Sequence, residues 1–152
     1  MMKEINLNIG GLTPFSTIDF PNHLATIVYT QGCNFRCPYC HNLPLVDCLE
    51  IPISYEKIYE FLQARKRIID GVVITGGEPT LQKELPAFCA WLRNMGFAVK
   101  LDTNGTKPLM LKLLIEKHLV DYIAMDIKAP WDKYQIVTHT NFPIELIQQS
   151  VS

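Results

Sequence analysis

At 152 residues the chain fits one domain and is long enough to bury a good core. Hydrophobic residues make up 48%, charged ones 19%, and the formal net charge is −1, a balance that argues for a compact soluble protein and against a polyanionic partner such as nucleic acid. Met1 to Gly10 hold no apolar core of signal-peptide length, and no later run reaches the ~18 apolar residues of a membrane span, so no membrane is expected and the expected location is the cytoplasm.

Ile5, Leu7 and Ile9 alternate with polar neighbours and run into Gly10-Gly11, which predicts a short strand, from about residue 3, closed by a turn. Thr17-Ile18-Asp19-Phe20-Pro21 reads as a second short extended piece. Leu24 to Thr30 is nearly continuous and rich in β-branched residues, as a strand buried on both faces should be. A loop with Pro44 and Pro52 follows. Ser54 then serves as N-cap of a helix to about Lys66, with Ile58, Phe61 and Leu62 on one face.

Gly71 to Thr75 is the second buried strand. Leu85, Phe88, Cys89, Leu92 and Met95 recur at helical spacing, and Gly96 stands where that helix should be capped. Phe97 to Leu101 is the third strand. Pro108 opens a helix with Leu111, Leu114, Ile115 and Leu119 on one face, and Asp121 to Met125 is the fourth strand. A shorter helix is predicted over Ile144 to Gln149, and no linker or low-complexity tract divides residues 1–152.

Strands alternating with amphipathic helices imply right-handed βαβ units and a parallel sheet, in which ligand groups gather at the C-terminal strand ends. Each of the four main strands is followed at once by a polar cluster: the cysteine loop, Gly76-Gly77-Glu78-Pro79, Asp102-Thr103-Asn104-Gly105 and Asp126-Ile127-Lys128. They should share one rim and face one site. Alone, Gly76-Gly77 could be a tight turn, and Glu78, Asp102, Asp126 and Lys128 ordinary loop charges. Their repeated position favours ligand contacts.

Cys33, Cys37 and Cys40 are separated by three and then two residues. Thiolates this close repel one another, so the cluster points to a metal site or a redox pair. Three thiolates suit a cubane iron-sulfur cluster whose fourth iron stays open to a non-protein ligand. Zinc competes, with His41 or Cys48 as fourth ligand, although no second separated pair is present. Cys37 to His41 is also formally a C-x-x-C-H haem attachment motif, and Cys37 to Cys40 a thioredoxin-like pair. The first belongs in an exported protein. The second leaves Cys33 unexplained. Five is an odd number and three are clustered, unlike a secreted disulfide framework. Cys89 reads as a core residue, and Cys48 as an incidental thiol or the fourth ligand.

Cys33-x3-Cys37-x2-Cys40, with Tyr39 before the last cysteine and Gly76-Gly77-Glu78-Pro79 after the next strand, resembles the radical S-adenosylmethionine superfamily. Thr17 to Pro21, Gln31 to Asn42, Asp102 to Gly105 and Met125 to Pro130 more closely resemble the glycyl-radical activating enzymes, above all those serving anaerobic ribonucleoside-triphosphate reductase. The resemblance covers essentially the whole chain. It implies a partial (β/α) barrel, of which about four main parallel strands are counted here and the C-terminal strands of the usual barrel are missing. A truncated reading frame or a chain completed by a partner is therefore expected.

The resemblance also implies the site. Cys33, Cys37 and Cys40 would bind three irons of a 4Fe-4S cluster, and S-adenosylmethionine would chelate the fourth. Gly76, Gly77 and Glu78 would hold its amino group, with Asp102 in support. Lys128 would pair with its carboxylate, Asp126 with the ribose hydroxyls, and Tyr39 would lie near the adenine. The implied reaction is reductive cleavage to methionine and a 5′-deoxyadenosyl radical, which takes hydrogen from a glycine of a partner reductase. No side chain need act as acid or base, and a flavodoxin or ferredoxin would supply the electron. Two other readings stand beside it: a radical enzyme acting on a small molecule, such as a 7-carboxy-7-deazaguanine synthase, and a non-catalytic iron-sulfur or zinc module.

Overall fold

The computed structural model describes residues 5–152, so the first four residues of the N-terminal stretch read above lie outside it. Its elements are β1 (Ile9–Ser16), β2 (Ala25–Thr30), α1 (Leu43–Val46), α2 (Tyr55–Arg65), β3 (Gly71–Gly76), α3 (Leu85–Asn94), β4 (Ala98–Thr103), α4 (Pro108–Glu116), β5 (Tyr122–Met125), α5 (Tyr134–Thr138) and α6 (Ile144–Val151). The five strands form one sheet in chain order. β1 is antiparallel to β2, and β2 to β5 run parallel. The architecture is thus the expected α/β one, with an antiparallel edge strand added to four parallel strands.

Side chains alternate along a strand, so each strand feeds two faces. One face, with Val28, Val72, Ile74, Val99 and Leu101, meets Ile58 and Leu62 of α2, Phe88 and Leu92 of α3 and Leu114 of α4 in the main core. The other face carries a smaller apolar cluster of Phe20, Ala25, Ile27 and Val73. A third cluster joins Phe35 and Cys37 of the cysteine loop to Tyr134 and Ile147 near the C-terminus. Ser54 caps α2 as its sequence predicts, accepting from Lys57 N at 3.4 Å. Among the described residues no helix is long and apolar enough to cross a membrane.

Three local expectations are corrected. Gly10-Gly11 is not a turn, because β1 runs straight through it with a register shift between Ile9 and Gly11. A Cβ on Gly10 would lie 2.6 Å from Gln31 Cγ, so the glycine permits a close approach inside a bulged strand. The reversal falls at Thr17–His23, where bends replace the second extended piece. There Ser16 Oγ accepts from the amides of Ile18 and Asp19, each at 3.2 Å, and donates to the Asp19 carboxylate. On α4, Leu111 and Leu114 are buried but Ile115 is exposed, because the apolar stripe is wider than the face that meets the core.

The ends of β2 and β3 come closer than side chains would allow. Gly76 has φ +118°, and a Cβ there would lie 2.3 Å from Thr30 O. A Cβ on Gly77 would lie 2.1 Å from Gly32 O. Gly77 N donates to Thr30 O at 2.9 Å and Glu78 N to Gly32 O at 2.8 Å. The glycine pair therefore locks the stem of the cysteine loop onto the end of β3. Replacing Gly77 by Ala should cost roughly 2–3 kcal/mol, since the obstructing atom is backbone. Urea unfolding checks this, and an unchanged midpoint would show that the loop simply gives way.

On the opposite end of the sheet, Arg93 of α3 reaches Asp121 at 2.6 Å, and Asp121 also accepts from Val99 N at 2.8 Å. Burial alone would raise the Asp121 carboxyl, but the Arg93 guanidinium and the Val99 amide outweigh it and hold its pKa below the usual range. A lowered folded-state pKa contributes stability above the unfolded aspartate value of about 3.9, and that stability is lost as pH falls through the folded value. Asp121→Asn should therefore cost about 1 kcal/mol at pH 7, kept small because both side chains are over a third exposed. In urea titrations the gap from the parent should close well below pH 4.

Candidate functional site

The cysteine loop leaves the C-terminal end of β2 and is pinned before it reaches the cavity. Arg36 donates to Cys33 O at 2.7 Å and Phe35 O at 2.9 Å, and its own amide donates to Thr138 O at 2.9 Å. Phe35 is buried edge-on between Tyr134 and Phe142. Two backbone amides point at sulfur: Phe35 N at 3.4 Å from Cys33 Sγ and Asn42 N at 3.4 Å from Cys40 Sγ. Burial pushes the Cys33 thiol up, and the Phe35 amide works against it.

All ten residues singled out from the sequence border one cavity of about 260 Å³ at the C-terminal ends of the parallel strands. The cysteine loop contributes Cys33, Cys37, Tyr39 and Cys40. The end of β3 contributes Gly76, Gly77 and Glu78, the end of β4 Asp102, and the segment after β5 Asp126 and Lys128. His41 borders it as well, whereas Cys48 is exposed and outside it. Cys89 is fully buried in the main core, where burial pushes its thiol up to about 12.

The carboxylates of this cavity are more occupied than their sequence positions suggest. Glu78 is 1% exposed. Its Oε1 accepts from Thr80 N at 3.1 Å, from Thr103 Oγ1 at 2.7 Å and from the Thr80 hydroxyl, and its Oε2 accepts from Asn104 N at 2.7 Å. Burial raises its pKa, with these hydrogen bonds working in the opposite direction. Asp102 Oδ1 accepts from Lys100 Nζ at 2.6 Å. Asp126 Oδ2 accepts from Lys128 Nζ at 2.8 Å. Burial disfavours the Lys128 charge, but Asp126 outweighs it and raises the lysine's pKa.

Sequence reasoning missed the polar seam that joins the cysteine loop to the β4 end. Asn34 Nδ2 donates to Thr106 Oγ1 at 2.9 Å, and Asn104 Nδ2 donates to Asn34 Oδ1 at 3.0 Å. Thr80 and Thr103 were missed in the same way, as the donors that hold Glu78. The available signal was the run of Thr and Asn beside the charged residues. A side chain that serves a neighbouring carboxylate has no periodicity to reveal it.

This donor set fits an iron-sulfur cluster. Three cysteines without disulfide partners share one cavity wall, with amide donors aimed at two of the sulfurs. Among the described residues no three His, Cys, Asp or Glu side chains converge on a single ion site. A multi-iron core takes each sulfur on a different iron, so its ligands surround a volume and do not meet at a point. The same cavity is lined by Glu78, Asp102, Asp126 and Lys128, charges of both signs that suit an amino acid zwitterion.

The family model described as the radical SAM superfamily matches residues 27–148. A candidate glycyl-radical enzyme activating enzyme of Methanocaldococcus jannaschii is 41% identical over 131 residues, covering 84% of this chain and 52% of that protein. A 7-carboxy-7-deazaguanine synthase of Aquifex aeolicus is 33% identical over 82 residues, 54% of this chain and 36% of that protein. The chain thus spans about half or less of the length of these curated relatives. In fold it is similar to a structure of TYW1 with a lysine-pyruvate adduct bound, at a TM-score of 0.53 and 20% identity over 84% of this chain and 49% of that one. A cysteine loop, a Gly-Gly-Glu-Pro strand end and a matching family model over most of its length together establish that this chain belongs to the radical SAM superfamily.

Proposed function

We propose that this chain binds a 4Fe-4S cluster through Cys33, Cys37 and Cys40, cleaves S-adenosylmethionine reductively and installs a glycyl radical on a partner enzyme. The observation that carries the reading is the meeting of three thiols, three acids and a lysine on one cavity at the strand ends. Held by these three cysteines, a 4Fe-4S cluster would supply the single electron for reductive cleavage of the sulfonium carbon-sulfur bond to methionine and a 5′-deoxyadenosyl radical.

The chain's own residues bind, orient and exclude water. Gly76 and Gly77 bring backbone to the cavity wall without side chains, next to the cysteine loop. Glu78 presents Oε2 with one protein donor on it, leaving room to accept from an ammonium group, and Asp102 supports that side. Lys128 offers its ammonium to a carboxylate, releasing Asp126 toward ribose hydroxyls. Tyr39, half exposed at the rim, covers the adenine end. No proton transfer by a side chain is required.

Likeness to glycyl-radical enzyme activating enzymes supports a glycyl-radical partner, and the motif resemblance favours anaerobic ribonucleoside-triphosphate reductase with a flavodoxin or ferredoxin as electron donor. Likeness to 7-carboxy-7-deazaguanine synthases supports a second reading, a small-molecule substrate at the same site.

After anaerobic reconstitution with iron and sulfide, dithionite and S-adenosylmethionine should yield 5′-deoxyadenosine, measured by chromatography. Cys37→Ala should abolish the release, and Cys48→Ser, altered outside the cavity, should keep both iron and release. Bound iron with no product from the parent chain would reduce the reading to cofactor binding. Incubation with anaerobic ribonucleoside-triphosphate reductase should then give a glycyl radical doublet by electron paramagnetic resonance. Its absence, with 7-carboxy-7-deazaguanine formed instead, would favour the second reading.

A further inference from the structure

Below Asp102 the sheet face that carries Phe20, Ala25, Ile27 and Val73 holds a charge that the cavity wall does not account for. Lys100 lies two residues back along β4, hence on the same face. Its cross-strand neighbours are Val73 on β3 and Tyr122 on β5. Val73 belongs to the apolar cluster with Phe20, Ala25 and Ile27. In these surroundings the lysine side chain is 10% exposed. Its ammonium donates to Asp102 Oδ1 at 2.6 Å and lies 5.9 Å from the centroid of the Tyr122 ring.

An ion pair with its lysine buried is a poor way to stabilise a fold, because desolvation of the ammonium offsets much of the attraction and a well-packed apolar side chain does as well. Stability alone thus gives no reason for a lysine between Val73 and Tyr122. Geometry gives one. The strand carries both residues on one face, the ammonium takes Oδ1, and Asp102, which lines the cavity, keeps Oδ2 without a side-chain donor from the described residues.

We infer that Lys100 is a positioning residue, which fixes the Asp102 carboxylate so that its second oxygen accepts from the amino group of S-adenosylmethionine. This rests on the reading of the cavity given under the proposed function. Lys100 itself touches no ligand. Its effect passes entirely through Asp102, and that makes the two residues a thermodynamic unit.

The test is equilibrium dialysis of S-adenosylmethionine against the full chain, reconstituted anaerobically and kept without reductant so that no turnover occurs. Iron content and urea midpoints are measured beside it. Lys100→Met should weaken binding about tenfold with iron content unchanged, and Lys100→Arg should recover most of the loss. In an Asp102→Asn background, removing Lys100 should have no further effect. Lys100→Gln, polar and of similar length, takes the place of Lys100→Met if the latter lowers the urea midpoint. Parent-like binding by the neutral variants overturns the inference, as does a loss that adds fully to that of Asp102→Asn. An iron-loaded parent chain that binds no S-adenosylmethionine overturns the reading of the site as well, so the two failures are told apart by the parent alone.

Discussion

The site depends on one buried carboxylate. Glu78 stands at the end of β3 and takes hydrogen bonds from Thr80 in its own segment and from Thr103 and Asn104 at the end of β4. A carboxyl group at 1% exposure is tolerable only because each of its oxygens accepts a hydrogen bond from the protein. Asn104 then reaches Asn34 in the cysteine loop, and Glu78 N is bound to Gly32 O at the root of that loop. Three strand ends are therefore tied at one residue, β3 and β4 through its side chain and β2 through its backbone amide and Asn104. Whatever the cavity binds, its walls cannot move independently.

Glycine supplies what the carboxylate cannot. Hydrogen bonds align the strand ends, but only the missing side chains of Gly76 and Gly77 let β3 lie against Thr30 and Gly32. A glycine pair after a strand can mean a tight turn or a backbone open to ligand. Here it also means a chain crossing at backbone distance. The same residues that expose backbone to the cavity hold the cysteine loop in place.

Much of the fold was legible in the sequence because the four parallel strands and three long helices have apolar patterns set by a single core. The site was legible because each polar cluster follows a strand, and a parallel sheet sends all such clusters to one rim. What escaped notice obeys other physics. Gly10-Gly11 mimics a turn, yet the constraint is contact with Gln31, a residue distant in sequence. Thr17–Phe20 has strand-like composition, yet Ser16 captures its amides. α1 and α5, at four and five residues, are too short to show a helical period.

The two lysine-aspartate pairs show why residue type alone does not define a role. Lys100 with Asp102 and Asp126 with Lys128 are both spaced by two, which on extended backbone puts each pair on one face. Both are contacts under 3 Å. Their burial differs: the side chains are 10% and 30% exposed in the first pair, and 23% for Lys128 and 70% for Asp126 in the second. An exposed aspartate exchanges its partner for water at little cost, so the Lys128 ammonium is readily freed from it. Lys100 has no such exchange available, because leaving Asp102 would strand its ammonium among Val73, Tyr122 and the apolar sheet face around them. The Asp126–Lys128 pair is consequently a contact that opens at little cost, and the Lys100–Asp102 pair a fixture of the sheet.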